Sequence, residues 1–203
     1  MLINSYVEEI CKRIEGKNVL DVGCCASSSK NLLKRHFIYK KKAKSIVGCD
    51  YNKVLIKEAK ERLKYEVLFC DFTNREDVQK IKDDFGLFDT LICTDVIEHV
   101  GNITNLLDNI SYLMTDDAVL HLTTPNMRSP RWIHLANINK WNVNNDHVCW
   151  LEIFTLKILL KRSGLIVSEE MYHAQENAAI RALGLKPKPW MARRLYVTVK
   201  KES

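Results

Sequence analysis

No apolar run in this 203-residue sequence approaches the roughly 20 residues that a membrane-spanning helix needs. The opening MLINSYVEEICKR carries acids and bases where a signal peptide would have an apolar stretch, so the expected location is cytoplasmic. Metal-type cysteine spacing is missing as well. None of Cys11, Cys24, Cys25, Cys49, Cys70, Cys93 and Cys149 forms a CxxC pair, and their odd total of 7 does not suit a disulfide framework. Most of them lie in apolar, strand-like segments and read as buried thiols. A strong charge bias is absent: 31 Lys and Arg against 25 Asp and Glu leave +6, which reads as a solvated surface rather than a polyanion-binding one. Repeats, low-complexity stretches and interdomain linkers are absent too. Glycine is scarce, with 7 in the chain, and this bears directly on the stretch VLDVGCCASSSKNLL. It reads as a nucleotide-binding turn from which most of the usual glycines are missing.

What is present is an apolar content of 46% over a length suited to one sizeable core, so residues 1–203 are expected to form one domain. NVLDVG, SIVGCD, EVLFCD, DTLICTD and AVLHLTT are short runs rich in Val, Ile and Leu, as in buried parallel strands. Between them, SSSKNLLKRHF, NKVLIKEAKERL and NITNLLDNISYLM carry apolar residues at helical spacing and open on Ser or Asn, which can cap a helix. Near the end come the helix TLKILLKRSGL, closed by Gly164, and the strands LIVSEEMY and RLYVTVKK, the last as an antiparallel edge. The expected fold class is α/β: a doubly wound, mostly parallel sheet of seven strands with helices on both faces.

Two segments break the rhythm. HFIYKKKAK (His36 to Lys44) reads as a basic, solvated loop. Residues 125–150 are long and aperiodic and carry Trp132, Trp141 and Trp150, which suggests a substrate lid anchored by its tryptophans. The stretch LGLKPKPWMARRLY mixes Lys186, Lys188, Arg193 and Arg194 with Trp190 and Met191. It reads as a loop into the final strand, with peripheral contact to an anionic lipid surface as the alternative.

In an open parallel sheet, ligands bind beyond the carboxyl ends of the strands. That is where this sequence places its acids: Asp50 closes the second strand, Asp71 the third, Asp95 follows the fourth, and Asp21 lies in the first. Such carboxylates accept hydrogen bonds from ribose hydroxyls, an adenine amino group or a substrate ammonium, which favours a nucleoside ligand without a phosphate chain.

VLDVGCCASS, IVGCDYNKVLIKEAKERL, LFCDF and FDTLICTDVIEHVGN, in this order, resemble the successive motifs of class I S-adenosylmethionine-dependent methyltransferases, which have a Rossmann-like fold. The resemblance runs from Asn18 to Lys200. It implies S-adenosyl-L-methionine as cofactor, with Asp21 and Gly23 at its methionine end and Asp50 on the ribose hydroxyls. It also implies Tyr51 beside the adenine, Asp71 and the backbone of Phe72 at the adenine edge, and Thr94 near the transferred methyl. Cys25 and Ser27 stand where the family usually has glycine, so a small side chain must fit against the cofactor there.

A second cluster, TDVIEHV, sets Asp95, Glu98 and His99 at i, i+3 and i+4, on one face if a helix begins after the fourth strand. Two carboxylates and an imidazole there suit acid–base work or a divalent cation such as magnesium. The set resembles the E-x-x-E-H motif of metal-dependent O-methyltransferases of ubiquinone synthesis and the metal site of small-RNA terminal 2′-O-methyltransferases, with Asp95 replacing Glu. The reading that needs no ligand is that Asp95 and Glu98 favour a helix N-terminus. Downstream, TTPN ends the fifth strand and NNDHVCW brings His147, which reads as a fourth ligand, a general base or a structural histidine.

A sulfonium methyl is already electrophilic, so such an enzyme must orient a nucleophile, exclude water and remove a proton when that nucleophile is a hydroxyl. The candidates for proton removal are Asp95, Glu98, His99 and His147. The favoured reading is O-methylation of a small molecule, of glycan or lipid type. An RNA 2′-O-methyltransferase and a non-catalytic binding module are the alternatives; the oligomeric state is left open.

Overall fold

In the computed structural model of the chain, which describes residues 1–3, 5–26, 29–137, 146–173 and 188–202, eight strands form one sheet. They are β1 (Leu2–Ile3), β2 (Asn18–Val22), β3 (Ser45–Asp50), β4 (Leu68–Phe69), β5 (Phe88–Thr94), β6 (Met114–Pro125), β7 (Leu165–His173) and β8 (Arg194–Lys201). Their order is β1-β7-β8-β6-β5-β2-β3-β4. Neighbours run parallel except at β8, which is antiparallel to both β6 and β7. Seven helices accompany them among the described residues: α1 (Tyr6–Arg13), α2 (Lys34–Lys40), α3 (Lys53–Leu63), α4 (Arg75–Phe85), α5 (Ile103–Leu113), α6 (Pro130–Asn137) and α7 (Ile153–Arg162).

The apolar runs are continuous because the sheet is covered on both sides, and successive residues serve different layers. Val19, Ile92 and Tyr196 pack with Tyr6, Ile10 and Ile14 of the α1 segment and Tyr39 of α2. Their neighbours Leu20, Leu91, Cys93 and Val197 face the opposite layer, with Val78 of α4, Leu106 and Ile110 of α5 and Leu156 of α7. Each such side chain contributes about 1.5–3 kcal/mol by leaving water. Along α3, Leu55, Ile56, Ala59 and Leu63 pack against Leu33, Phe37 and Val67.

The mostly parallel, two-layered α/β plan is the expected one, with three differences. First, the sheet gains a strand, since Leu2 and Ile3 pair with Tyr172 and His173 of β7; two residues carry no periodicity to read. Second, β8 is not at the margin. Leu195 to Val199 are all buried, and the strand lies between β6 and β7. Third, His36 to Lys40 is helix rather than loop. In α2, His36 and Tyr39 are fully buried while Lys34 and Lys40 face solvent, so the lysines mark the outer face of an amphipathic turn. No serine caps this helix: a 3₁₀ turn (Ser29–Asn31) precedes it, and Leu33 at its start makes no side-chain cap bond.

The caps at Asn52 and Asn102 form as expected. The Asn52 side chain accepts from the backbone N–H groups of Val54 and Leu55, and Asn102 from that of Asn105. Within 125–150, α6 and residues 146–150 are described, whereas Trp141 lies outside the described residues. Among the described residues no helix is long and apolar enough to cross a membrane. From β2 the chain moves outward through β3 to β4, then returns to β5 on the other side of β2 and on to β6. This reversal opens a crevice at the carboxyl ends of β2 and β5.

Candidate active site

Gly23 leaves β2 with φ +68°, and a Cβ built there would stand 2.4 Å from Val96 Cγ2. Both the left-handed backbone and the close approach of the turn after β5 therefore demand glycine. The N–H groups of Gly23 and Cys24 donate to the Cys49 carbonyl at 2.9 and 3.1 Å, which fastens this turn to β3. Beside it, the Asp50 carboxylate accepts from the backbone N–H of Cys25 (3.0 Å) and of Asn52 (2.9 Å). Burial pushes the Asp50 carboxyl above its usual range, and these backbone bonds oppose the shift. Asp71 is oriented by Thr73, whose N–H and hydroxyl both donate to Oδ1, leaving Oδ2 for another partner. Asn109 of α5 donates to the Phe72 carbonyl at 2.7 Å and fixes the backbone there.

These residues enclose a cavity of about 210 Å³. Gly23, Asp50, Tyr51, Asp71 and Phe72 form one side, and Val96, His99, Val100, Gly101 and Leu106 the other. Of the residues expected at a cofactor, Asp21, Cys25 and Thr94 do not line it. Asp21 is turned to the α2 side of the sheet, where its Oδ2 lies 2.9 Å from His36 Nδ1; the Tyr65 hydroxyl is 2.9 Å from His36 Nε2. Gly48 makes room for that imidazole, since a Cβ there would lie 2.7 Å from its Cε1. Cys25 serves through its N–H on Asp50, and Thr94 is buried at the end of β5. Ser27 lies outside the described residues. The apolar wall of Val96, Val100 and Leu106 carries no signal in the sequence beyond the position of Val96 and Val100 at the two ends of the VIEHV run.

The turn after β5 is a single 3₁₀ turn (Ile97–His99) rather than an α-helix, and Asp95 before it has φ +58°. The expected common face of Asp95, Glu98 and His99 therefore does not form. Thr123 donates to the Asp95 carboxylate and Thr124 to that of Glu98, each at 3.1 Å. Successive strand residues point to opposite sides, so the two carboxyls part around the end of β6. Arg194 grips Asp95 through Nε (2.8 Å) and Nη2 (2.9 Å), and Arg35 reaches it through Nη1 (2.9 Å). Burial works to raise the Asp95 carboxyl, but the two guanidiniums outweigh it and hold it below the usual range.

Glu98 instead meets His99 and His147, with one ligand atom from each lying within 4.8 Å of the others. The backbone completes the arrangement. The Val148 N–H donates to the Glu98 carbonyl at 2.9 Å, and His99 Nδ1 lies 3.2 Å from the Asp146 carbonyl. The two rings meet edge to face at 4.6 Å, and the edge-to-face contacts continue behind His147 to Trp150 and from there to Trp132. His147 Nδ1 is buried and has no hydrogen-bond partner among the described residues. Burial and the charge of Asp95 push the Glu98 carboxyl up to about 8. Burial and His99 lower the basicity of His147. A carboxyl and two imidazoles so placed can pass a proton or hold a divalent cation. Arg194, expected where a loop enters the final strand, stands at the start of β8 and belongs to this site; Lys186 and the Trp190 side chain lie outside what is described.

A family model described as a methyltransferase domain matches residues 3–170. The chain belongs to this methyltransferase family. Its fold is shared with a SAM-dependent methyltransferase from Archaeoglobus fulgidus, at a TM-score of 0.62 and 18% identity over 97% of this chain and 95% of that one. It is shared also with magnesium protoporphyrin IX methyltransferase of Synechocystis PCC 6803 with bound SAH, at 0.64 and 15% identity over 96% and 81%. In sequence, the methyltransferase is 25% identical over 129 residues to a ubiquinone biosynthesis O-methyltransferase of Coxiella burnetii, covering 64% of this chain and 52% of that relative. The chain thus spans about half the length of the curated relatives it matches.

Proposed function

We propose that this methyltransferase uses S-adenosylmethionine to methylate a hydroxyl group of a small molecule, acting as one domain in which α6 and residues 146–150 cover the acceptor. The observation that carries the reading is the convergence of Gly23, Asp50 and Asp71 on one cavity whose wall includes His99, the member of the Glu98, His99 and His147 cluster that reaches it. The fit to the cofactor rests on chemistry present in the chain. Two carboxylates at adjacent strand ends accept from hydroxyl and amino groups, a glycine has no room for a side chain, and Tyr51 offers an exposed ring. At about 210 Å³ the cavity is below the roughly 300–1,000 Å³ of typical small-molecule pockets, so it suits the nucleoside part. The relative from Synechocystis, whose structure holds SAH, supports this assignment, and the relative from Coxiella supports oxygen as the acceptor atom.

When bound, the cofactor supplies an activated methyl group on sulfur. The residues of this chain then have three tasks. Asp50, Asp71 and Phe72 orient the nucleoside, Val96 and Val100 exclude water, and the Glu98, His99 and His147 cluster takes the acceptor proton. The same cluster has the donor set for a divalent cation: a carboxylate and two imidazoles, one of them with a buried ring nitrogen lacking a partner. Such an ion would lower the pKa of a bound hydroxyl. Asp95 is not in this set, because Arg35 and Arg194 occupy its oxygens.

Calorimetry with S-adenosylhomocysteine tests the reading. Asp50→Ala is expected to weaken binding by about 10-fold or more, the loss of one charge-assisted hydrogen-bond acceptor. Glu98→Gln is expected to keep that affinity and lower turnover by about 100-fold. Elemental analysis after dialysis decides the cation, which His147→Ala should lose. No binding of S-adenosylhomocysteine at millimolar concentration would replace this reading with a non-catalytic module. Salt-dependent binding of RNA would point to a nucleic-acid acceptor instead.

A further inference from the structure

On the α1 and α2 side of the β6 end, two guanidiniums share one carboxylate. Arg35 and Arg194 both bind Asp95, and neither has another acid partner among the described residues. Arg35 makes both of its hydrogen bonds, to Asp95 Oδ2 and to the Tyr6 hydroxyl, through Nη1 at 2.9 Å. Its Nε and Nη2, and Nη1 of Arg194, make none among the described residues. Arg194 also lies over the Tyr6 ring, 5.0 Å from its centre. The side chains of Arg35, Arg194 and Asp95 retain 25, 29 and 19% of their surface, so the pair is reachable from solvent. Asp95 neutralises one of the two positive charges, and a net positive charge with spare planar donors is left.

We infer that Arg35 and Arg194 form a subsite for an anionic group of the acceptor, a carboxylate or a phosphate, with Asp95 as the internal counter-ion that holds the two forks in place. The inference rests on the methyltransferase reading for its word acceptor. None of Tyr6, Arg35, Asp95 and Arg194 lines the nucleoside cavity, and the pair lies toward β6 and β8, across β5 from Asp50 and Asp71. The Glu98 cluster lies around the end of β6 from it, because the consecutive residues Thr123 and Thr124 hold Asp95 and Glu98 on opposite sides of that strand end, so an acceptor spanning the strand end reaches both. An acceptor anchored here would present a neighbouring hydroxyl to that cluster. A guanidinium fork recognises carboxylate or phosphate oxygens through paired hydrogen bonds, which a neutral isostere cannot supply.

The test follows the arginine Nε–H groups by NMR in the full chain, with and without saturating S-adenosylhomocysteine, while benzoate, phenyl phosphate and neutral benzamide are added in turn. The expected result is a saturable shift at Arg35 and Arg194 with benzoate or phenyl phosphate and none with benzamide. Either Arg35→Gln or Arg194→Gln should weaken it by about 10-fold or more. If Arg194→Gln does not fold, Arg35→Gln decides alone, because Asp95 keeps its bidentate partner. Two results overturn the inference. One is no shift with either anion. The other is a shift completed by S-adenosylhomocysteine but not by 5′-methylthioadenosine, which lacks the amino-acid carboxylate; this would assign the arginines to the cofactor. Failure of S-adenosylhomocysteine to bind would remove the methyltransferase reading, while the anion titration of the free chain would still decide the subsite.

Discussion

Gly23 shows how one missing side chain sets the geometry of the cavity. Its φ of +68° and the 2.4 Å approach to Val96 Cγ2 are separate demands, and mutation can separate them. Gly23→Ala is expected to cost about 2 kcal/mol of stability in urea unfolding, together with nucleoside affinity. Adding Val96→Ala should return only the steric share. His121 makes the opposite kind of demand. It is buried in the middle of β6, 2.7 Å from the Tyr196 hydroxyl, and burial lowers its pKa to about 3. The unfolded chain, with an ordinary histidine pKa of about 6.5, therefore binds a proton that the folded chain refuses as the pH falls. Its contribution is complete above about pH 6.5 and is lost progressively toward pH 3, by up to about 4 kcal/mol. Urea midpoints measured between pH 7 and 4 should fall more steeply in the wild type than in His121→Gln.

At the scale of single elements, α3 and α5 are legible because their asparagine caps and apolar spacing agree. Asn52→Ala, which frees two backbone N–H groups at the start of α3, should cost about 1 kcal/mol in thermal or urea unfolding. Helix α2 was hidden by its own surface: lysines at Lys40 to Lys42 beside HFIY suggest a solvated loop, and the partners that bury His36 come from Asp21 and Tyr65. The interior place of β8 is a matter of topology rather than of its own residues. RLYVTVKK, with five consecutive buried positions, fits a strand covered on both faces, and its neighbours are set by chain connections that no local pattern encodes. The same division applies to the site. Asp50 and Asp71 could be found because strand ends follow from apolar runs. The fate of Asp95 could not, because it depends on a left-handed backbone and on arginines 60 and 99 residues away. His147 joins Glu98 and His99 through the fold alone, although its neighbours DHVCW marked it as a candidate.

At the scale of the whole molecule, the sheet predicts its own hierarchy of opening. β2, β5 and β6 have hydrogen-bonded neighbours on both sides and layers on both faces, whereas β1 and β4 are two-residue strands at the two margins. Hydrogen exchange should be slowest at Leu20, Leu91 and Leu120 and fastest at Leu2, Ile3, Leu68 and Phe69. An order in which β4 outlasts β5 would contradict this arrangement. The interior position of β8 bears also on biosynthesis. In chain order β8 follows both of the strands it separates, so until it inserts, the edges of β6 and β7 that it covers stay unpaired. Each then offers a bare row of peptide groups to any extended polypeptide nearby.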